Sequence, residues 1–314
     1  MNRAAVFAHY DKDNLIDKYV IYYLKALKEL VQELVFVSCN ELSEIEKSKL
    51  SGIADFVISE VHNEYDFGSY KRGYLYLKPH LYEYDELIFA NDSCFGPLYN
   101  LKDVFDDMEV LNDCDFWGIT KNRFGLKPNG DKGYKAIERP HLQSYFLVFN
   151  KNVFISDVFD KFMNSIKHYE SKNEIVIHCE IGLYEILTNA GFFGRAYIRS
   201  LYRFNHILIS FWRLLIEKYK MPFVKCSVLR LQNKNLTTIA NWQECISKNT
   251  NYPVALILNN QKRFFTDDGN IRFVPAWLKI LYFYFLGIQP GITKKYFSRL
   301  NSFFMKMYLR IFTF

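Results

Sequence analysis

In the first sixty residues, short apolar runs alternate with stretches of helical periodicity, and that order leaves few folds open. Residues 4–9 form an apolar run ending in the polar cluster His9-Tyr10-Asp11-Lys12-Asp13. Ile16, Val20, Tyr23, Leu24, Leu27 and Leu30 then recur at helical spacing with no Gly or Pro between them, which predicts a helix. Leu34 to Ser38 predicts a buried strand, residues 43–51 a helix rich in Glu and Lys, and Asp55 to Ile58 a third strand. This succession predicts an α/β fold, a mostly parallel Rossmann-like sheet flanked by helices. Such sheets receive ligands at the carboxyl ends of their strands, so the residues just past each strand matter most.

The middle of the chain supplies them. Tyr65 to Gly73 reads as a polar, glycine-punctuated loop running into a helix. Leu87 to Ala90 reads as a strand whose end presents Asn91-Asp92-Ser93, ahead of a Gly96-Pro97 turn. Asp115 opens a further strand through Thr120. Residues 121–138 hold three glycines and a proline among Lys, Asn and Asp, predicting a mobile loop or lid. His141 to Phe149 returns the chain to the sheet, and Ile175 to Leu183 opens a helix ending near Gly191. Beyond about residue 221 the pattern weakens into short strands, Pro222 to Leu231 and Val254 to Leu258, with a helix near 237–248. A carboxylate such as Asp92 at a strand end can bind Mg²⁺ or Mn²⁺, or accept bonds from ribose and sugar hydroxyls. The same Asn-Asp-Ser triplet is also ordinary turn composition.

Composition removes other classes. Half of the 314 residues are apolar, enough for the core of one large domain or two modest ones. Cys39, Cys94, Cys114, Cys179, Cys226 and Cys245 are scattered without a CxxC pair and read as reduced thiols of a cytosolic protein. The sequence has no GxGxxG after the first strand, no GxxxxGK[ST], no GxSxG and no HExxH. Its basic residues belong to no nucleic-acid-binding module.

Six motifs in register carry a resemblance. Phe7-Ala-His-Tyr-Asp11, Tyr65-Asp-Phe-Gly-Ser-Tyr-Lys71, Ile88-Phe-Ala-Asn-Asp-Ser-Cys-Phe-Gly-Pro97, Asp115-Phe-Trp-Gly118, His141-Leu-Gln-Ser-Tyr-Phe146 and Glu180-Ile-Gly-Leu183 follow one another as in the rhamnan synthesis protein F family. The chain resembles that family over roughly residues 3–232, ending with Pro222-Phe-Val-Lys-Cys-Ser-Val-Leu-Arg230. The resemblance implies a GT-A-like glycosyltransferase of bacterial surface polysaccharide assembly. Its expected reaction is inverting transfer of L-rhamnose from dTDP-rhamnose to a lipid-linked polysaccharide or O-antigen acceptor. Asp92, flanked by Asn91 and Ser93, falls where a GT-A fold carries its DxD-like motif, and is the candidate for donor, diphosphate or metal contact. Only one carboxylate is present there, which puts Mg²⁺ or Mn²⁺ dependence in doubt.

Other roles follow by position. His9, Tyr10 and Asp11 end the first strand, where GT-A enzymes hold the nucleotide. Lys71 and Arg72 could pair with phosphate or be solvated helix charges. Asp66, Gly68 and Ser69 are expected to shape a donor-side loop, with Gly68 permitting a turn. Inversion needs a general base. Glu180, beside Ile175, Val176, Ile177 and Ile181, is the first candidate, with partial desolvation expected to raise its pKa. Asp115 and His141 compete with it, Asp115 alternatively orienting Asp92. Gln143 and Ser144 are candidates for binding acceptor hydroxyls.

The net charge of +6 is unevenly placed. After Asp268 no acidic residue occurs, while Arg272, Lys279, Lys294, Lys295, Arg299, Lys306 and Arg310 are basic and interleaved with aromatics. Residues 276–314 are therefore expected to form a basic aromatic helical tail, either lying on an anionic membrane surface or packed on the core. The expected organisation is a catalytic domain over 1–220, a small module over 221–275 and this tail. With no run of the roughly 18 apolar residues that a spanning helix needs, the protein is expected to be cytoplasmic, peripheral on the inner face of the plasma membrane. Two alternatives stand beside a rhamnosyltransferase: the same fold using a GDP- or UDP-sugar, and a non-catalytic glycan-binding or scaffold subunit.

Overall fold

The computed structural model describes residues 1–131, 133–198, 212–230 and 241–264. The tail 276–314, with Lys279, Lys294, Lys295, Arg299, Lys306 and Arg310, lies outside the described residues.

The expected alternation is present as β1 (Arg3–His9), α1 (Lys18–Lys28), β2 (Glu33–Ser38), α2 (Glu44–Ser48), β3 (Phe56–Ser59), α3 (Tyr65–Leu77) and β4 (Glu86–Asn91). Then come β5 (Cys94–Phe95), α4 (Leu101–Leu111), β6 (Phe116–Gly118), β7 (Lys121–Pro128), β8 (Tyr134–Leu142) and β9 (Phe146–Asn150). Seven strands form one sheet in the order β10-β6-β9-β4-β1-β2-β3, where β10 is Gly194–Ala196. β1 pairs in parallel with β2 and β4, whereas β9 runs antiparallel to both β4 and β6.

Strand alternation divides the core in two. Ala5 and Phe7 of β1, Leu34 and Phe36 of β2 and Ile88 of β4 face one cluster with Val20, Tyr23, Leu24 and Leu27 of α1. Val6, Val35, Leu87 and Phe89 face the other, with Tyr70, Tyr74 and Leu77 of α3. Successive side chains of a strand point to opposite faces, so runs buried on both sides read as continuously apolar. On the second face α3 lies so close to β1 that a Cβ on Gly73 would sit 2.3 Å from Val6 Cγ1.

Three local expectations are corrected. Tyr65 to Gly73 is helix from its first residue, so Gly68 lies inside α3 and permits no turn. A Cβ there would meet the Glu64 and His62 side chains. Residues 121–138, expected as a mobile loop or lid, belong to the β7–β8 hairpin. Its glycines have structural uses: Gly130 and Gly133 take positive φ in the turn, and Gly125 approaches Ile181 and Arg139. Val254 to Leu258 begins a helix, α12 (Val254–Phe264), whose buried Ile257, Asn260 and Gln261 show helical spacing. A short apolar run does not by itself separate strand from buried helix.

Between β9 and β10 lie α5 (Lys151–Phe154), α6 (Asp157–Ser165) and α7 (Lys172–Ile175), then a π-helical turn, Val176–Ile181, continuing into α8 (Gly182–Asn189). α9 (Trp212–Tyr219), β11 (Val224–Lys225), α10 (Cys226–Leu229), α11 (Trp242–Asn249) and α12 follow. Leu215, Phe223, Val224, Ile246 and Ile257 from this region join the first core cluster. β11 pairs antiparallel with β5, Lys225 opposite Cys94. Among the described residues no helix is long and apolar enough to cross a membrane.

Candidate active site

The carboxyl edge of β1 and β4 gathers polar side chains from several segments. Asp92 leaves the end of β4 with its backbone fixed by Tyr19, whose hydroxyl donates to the Asp92 carbonyl at 2.9 Å. Its carboxyl Oδ2 accepts the Tyr10 N–H at 3.0 Å and lies 3.8 Å from His9 Nε2. Burial pushes the Asp92 carboxyl up to about 8, against the opposing Tyr10 N–H. His9 is buried too, its Nδ1 3.2 Å from Ser38 Oγ, and burial drives it down to about 4, so its ring is neutral at pH 7. His9 therefore offers Asp92 no cation.

A hydrogen-bond chain runs beside this pair. Asn91 Nδ2 donates to Asp66 Oδ2 at 2.7 Å, while Asn91 Oδ1 accepts both the N–H and the hydroxyl of Ser93. Lys225 Nζ donates to Ser93 Oγ at 2.8 Å and lies 4.8 Å from the centre of the Tyr145 ring. The chain thus joins a carboxyl at one end to an ammonium at the other. Burial raises the Asp66 pKa, with Lys225 opposing.

Glu180 stands at the same edge, in the π-helical turn. Its Oε2 accepts the Ser144 N–H at 2.9 Å and the Ser144 hydroxyl at 2.6 Å, and its Oε1 lies 3.4 Å from His141 Nε2. His141 Nδ1 faces the Arg139 carbonyl at 2.8 Å. The two ring nitrogens of His141 thus face two acceptors, the Arg139 carbonyl and the Glu180 carboxylate. Burial alone would raise the Glu180 pKa, but His141 and Ser144 outweigh it and take the carboxyl down to about 2. The expectation of a raised pKa is overturned, because a buried carboxylate that accepts several hydrogen bonds is stabilised in its charged form. Gln143 accepts the Thr120 hydroxyl at 2.7 Å and is buried.

Other candidates are engaged elsewhere. Lys71 Nζ donates to the carbonyls of Ile166 and Asn164 at 2.7 and 3.3 Å, so it caps the end of α6 instead of awaiting phosphate. Arg72 pairs with Glu60 and Glu64. The Ser69 hydroxyl meets His62 at 3.0 Å. Asp11 accepts from Asp13 N–H and Leu15 N–H and pairs with Arg263 at 2.7 Å. Although burial opposes it, these bonds hold the Asp11 pKa below its ordinary value. Asp115 is at the wrong end of the sheet to orient Asp92. Its carbonyl accepts the N–H of Asn150, which pairs with Glu86 at the start of β4. Six residues of strand separate that level from Asp92, roughly 20 Å. Its carboxylate accepts from Asn152 Nδ2 at 2.6 Å and the Phe193 N–H at 2.7 Å.

A resident Mg²⁺ or Mn²⁺ does not fit these residues. Among the described residues no three His, Cys, Asp or Glu side chains converge to hold a metal ion. Asp66, Asp11 and Glu180 are committed to Asn91, Arg263 and the Ser144–His141 pair. Asp92 is left as a single carboxyl, where hard cations ask for several carboxylate or carbonyl oxygens. Sequence reasoning missed Lys225 and Arg263. Lys225 lay within the Pro222 to Arg230 stretch of the resemblance, but nothing local marks a lysine in a two-residue strand.

Several known proteins are similar. Core-mannan synthase A (CmsA/Ktr4) of Aspergillus fumigatus, in an Mn/GDP form, is 13% identical, with 52% of this chain and 63% of that one covered at a TM-score of 0.31. A nucleotide-diphospho-sugar transferase described as putative in Desulfovibrio desulfuricans G20 is 13% identical, covering 82% and 98% at a TM-score of 0.35. The uncharacterized protein y4gN of Sinorhizobium fredii (strain NBRC 101917 / NGR234) is 28% identical over 187 residues, 60% of this chain. That match spans only 45% of y4gN, less than half its length. A family model described as Rhamnan synthesis protein F matches residues 34–280, starting after β1 and reaching further toward the C-terminus than the motifs suggested. With well over half of its length matched by that model, the chain belongs to the rhamnan synthesis protein F family.

Proposed function

We propose that the protein is an inverting glycosyltransferase that moves a sugar from a nucleotide diphosphate to a glycan hydroxyl. The donor in this proposal is dTDP-L-rhamnose, and the acceptor a lipid-linked surface polysaccharide or O-antigen met at the cytoplasmic face of the membrane. The tail 276–314 would hold the enzyme against anionic lipid. The observation that carries the proposal is the convergence of Asp66, Asn91-Asp92-Ser93, Ser144, Glu180 and Lys225 at the carboxyl edge of the sheet. That edge is where open α/β sheets bind their ligands.

In the proposed reaction the acceptor oxygen bonds to the anomeric carbon as the bond from that carbon to the β-phosphate oxygen breaks. The electron pair of the broken bond stays with the diphosphate, and the acceptor proton passes to Glu180. A carboxylate with a pKa near 2 is a weak base, so this proton moves late, once the acceptor oxygen has become acidic through bond formation. Asp92 and Asn91 would hold donor hydroxyls, and Gln143 and Ser144 would line the acceptor side.

The test uses the full chain with dTDP-rhamnose, UDP-sugars and GDP-sugars, followed by transfer to membrane-extracted lipid-linked glycan and by thermal shift. Transfer with dTDP-rhamnose is expected, together with a rise in melting temperature for the donor that binds the native state. If no nucleotide sugar binds, is hydrolysed or is transferred, the scaffold alternative replaces the enzyme.

A further inference from the structure

We propose that the Lys225 ammonium, rather than a divalent metal, neutralises the β-phosphate of the donor as it leaves; this rests on the transferase proposal above. GT-A-like chemistry must stabilise a diphosphate that gains charge as the sugar departs. The carboxyl groups at this edge do not fit a resident metal, and the charge then has to come from the chain itself.

Lys225 is built for that position. β11 holds its backbone against β5, with Val224 opposite Phe95 and Lys225 opposite Cys94, directly after Asn91-Asp92-Ser93. The Cys226 N–H donates to the Ser93 carbonyl at 3.0 Å, closing the segment onto the same loop. The ammonium meets the Ser93 hydroxyl and the Tyr145 ring face, and among the described residues no carboxylate approaches it as an ion-pair partner. An ammonium on a hydroxyl and an aromatic face keeps donors available for an arriving anion. Lys71 and Arg72, the cations that sequence pattern favoured, are consumed by helix-end carbonyls and by carboxylates. Arg230, one helical turn beyond Lys225, adds positive potential, and its charge acts to lower the Asp92 pKa.

When the bond between the anomeric carbon and the β-phosphate oxygen breaks, its electron pair becomes charge on the diphosphate. In this proposal Lys225 receives it, passing its Ser93 hydrogen bond to a phosphate oxygen. The Ser93 hydroxyl stays anchored on Asn91, so the exchange leaves the chain to Asp66 intact.

The decisive measurement compares nucleoside diphosphates with monophosphates: dTDP with dTMP, UDP with UMP and GDP with GMP. Binding to the full chain is measured by calorimetry in EDTA and again with Mg²⁺ or Mn²⁺. For the nucleotide that binds, the wild type in EDTA is expected to prefer the diphosphate at least tenfold. Lys225→Met should shrink that preference to within twofold while leaving monophosphate affinity unchanged, and Lys225→Arg should restore most of it. An unchanged monophosphate affinity also reports that the variant is folded. If nucleotides bind but the preference survives in Lys225→Met, or arises only with metal, Lys225 is not the diphosphate cation although the transferase proposal stands. If no nucleotide binds the wild type, the transferase proposal falls and this one with it.

Discussion

The two edges of the central sheet each present an aspartate that sequence pattern treats alike, Asp92 past the end of β4 and Asp115 before the start of β6. Their surroundings differ in kind. Asp115 uses both carboxylate oxygens on its own chain, one on Asn152 and one on the Phe193 N–H, and so ties β6 to neighbouring connections. Asp92 has one backbone donor and a neutral histidine 3.8 Å away, and burial raises its pKa to about 8. A carboxylate whose bonds are all made stabilises the fold. One that is buried with its hydrogen bonding incomplete costs stability, as groups held ready for a ligand commonly do.

The largest expected effect separates the two edges by rate. Asp92→Asn should cut sugar transfer about 100-fold or more, the range typical of removing one preorganised polar contact to a reacting group. Asp115→Ala should leave transfer per folded molecule within about twofold. It should instead lower the melting temperature by about 2–4 °C for each kcal/mol lost, with roughly 1 kcal/mol per hydrogen bond. Rate assays with melting curves on both variants check this, and a rate loss in Asp115→Ala larger than in Asp92→Asn would break the distinction between the edges.

Glu180 sharpens the comparison within the carboxyl edge, because its hydrogen bonding is nearly complete while it still faces the proposed acceptor side. Its folded pKa near 2 is depressed below the ordinary 4.5. Its ionised form therefore adds stability that is fully present above about pH 4.5 and is lost as pH falls toward 2. Glu180→Gln should slow transfer by about 100-fold, at the low end of general-base contributions. It should also flatten the dependence of stability on pH between 4.5 and 2. Denaturant titrations at pH 5 and pH 3 read the second effect; equal slopes for wild type and variant would remove the His141–Glu180 pair from this account.

Much of the fold was legible because burial on both faces makes β1, β2, β4 and β9 continuous apolar runs, and α1 shows a clean helical period. What misled was glycine. Gly68 and Gly125 mark close packing, against Glu64 and against Ile181, yet beside polar residues they resemble loop punctuation. The site was legible where a motif sits at a strand end, as in Asn91-Asp92-Ser93. Long-range partnerships left no local trace. Lys71 and Lys225 are both lysines near aromatic residues, and only the fold sends one to the carbonyls of α6 and the other to Ser93. The sign of the Glu180 shift was hidden for the same reason, since Ser144 and His141 lie 36 and 39 positions away in sequence and oppose what the apolar neighbours alone would do.

The last expected effect is a stability gain that runs against intuition for a mutation at the proposed site. The Asp92 carboxyl is near 3.8 in the unfolded chain and about 8 in the folded protein. Between those values the folded state binds the extra proton, so stability declines as pH rises through the window and levels off above about 8. Asparagine has no proton to lose. Asp92→Asn should therefore match the wild type near pH 4 and melt clearly higher at pH 8.5. Asp115→Ala should show no such gain at either pH, because both of its carboxylate oxygens are already paired. Melting curves at pH 4 and pH 8.5 settle the matter: a wild type as stable as Asp92→Asn at pH 8.5 would mean that the carboxyl edge carries no stored cost, and Asp92 would then be no different in kind from Asp115.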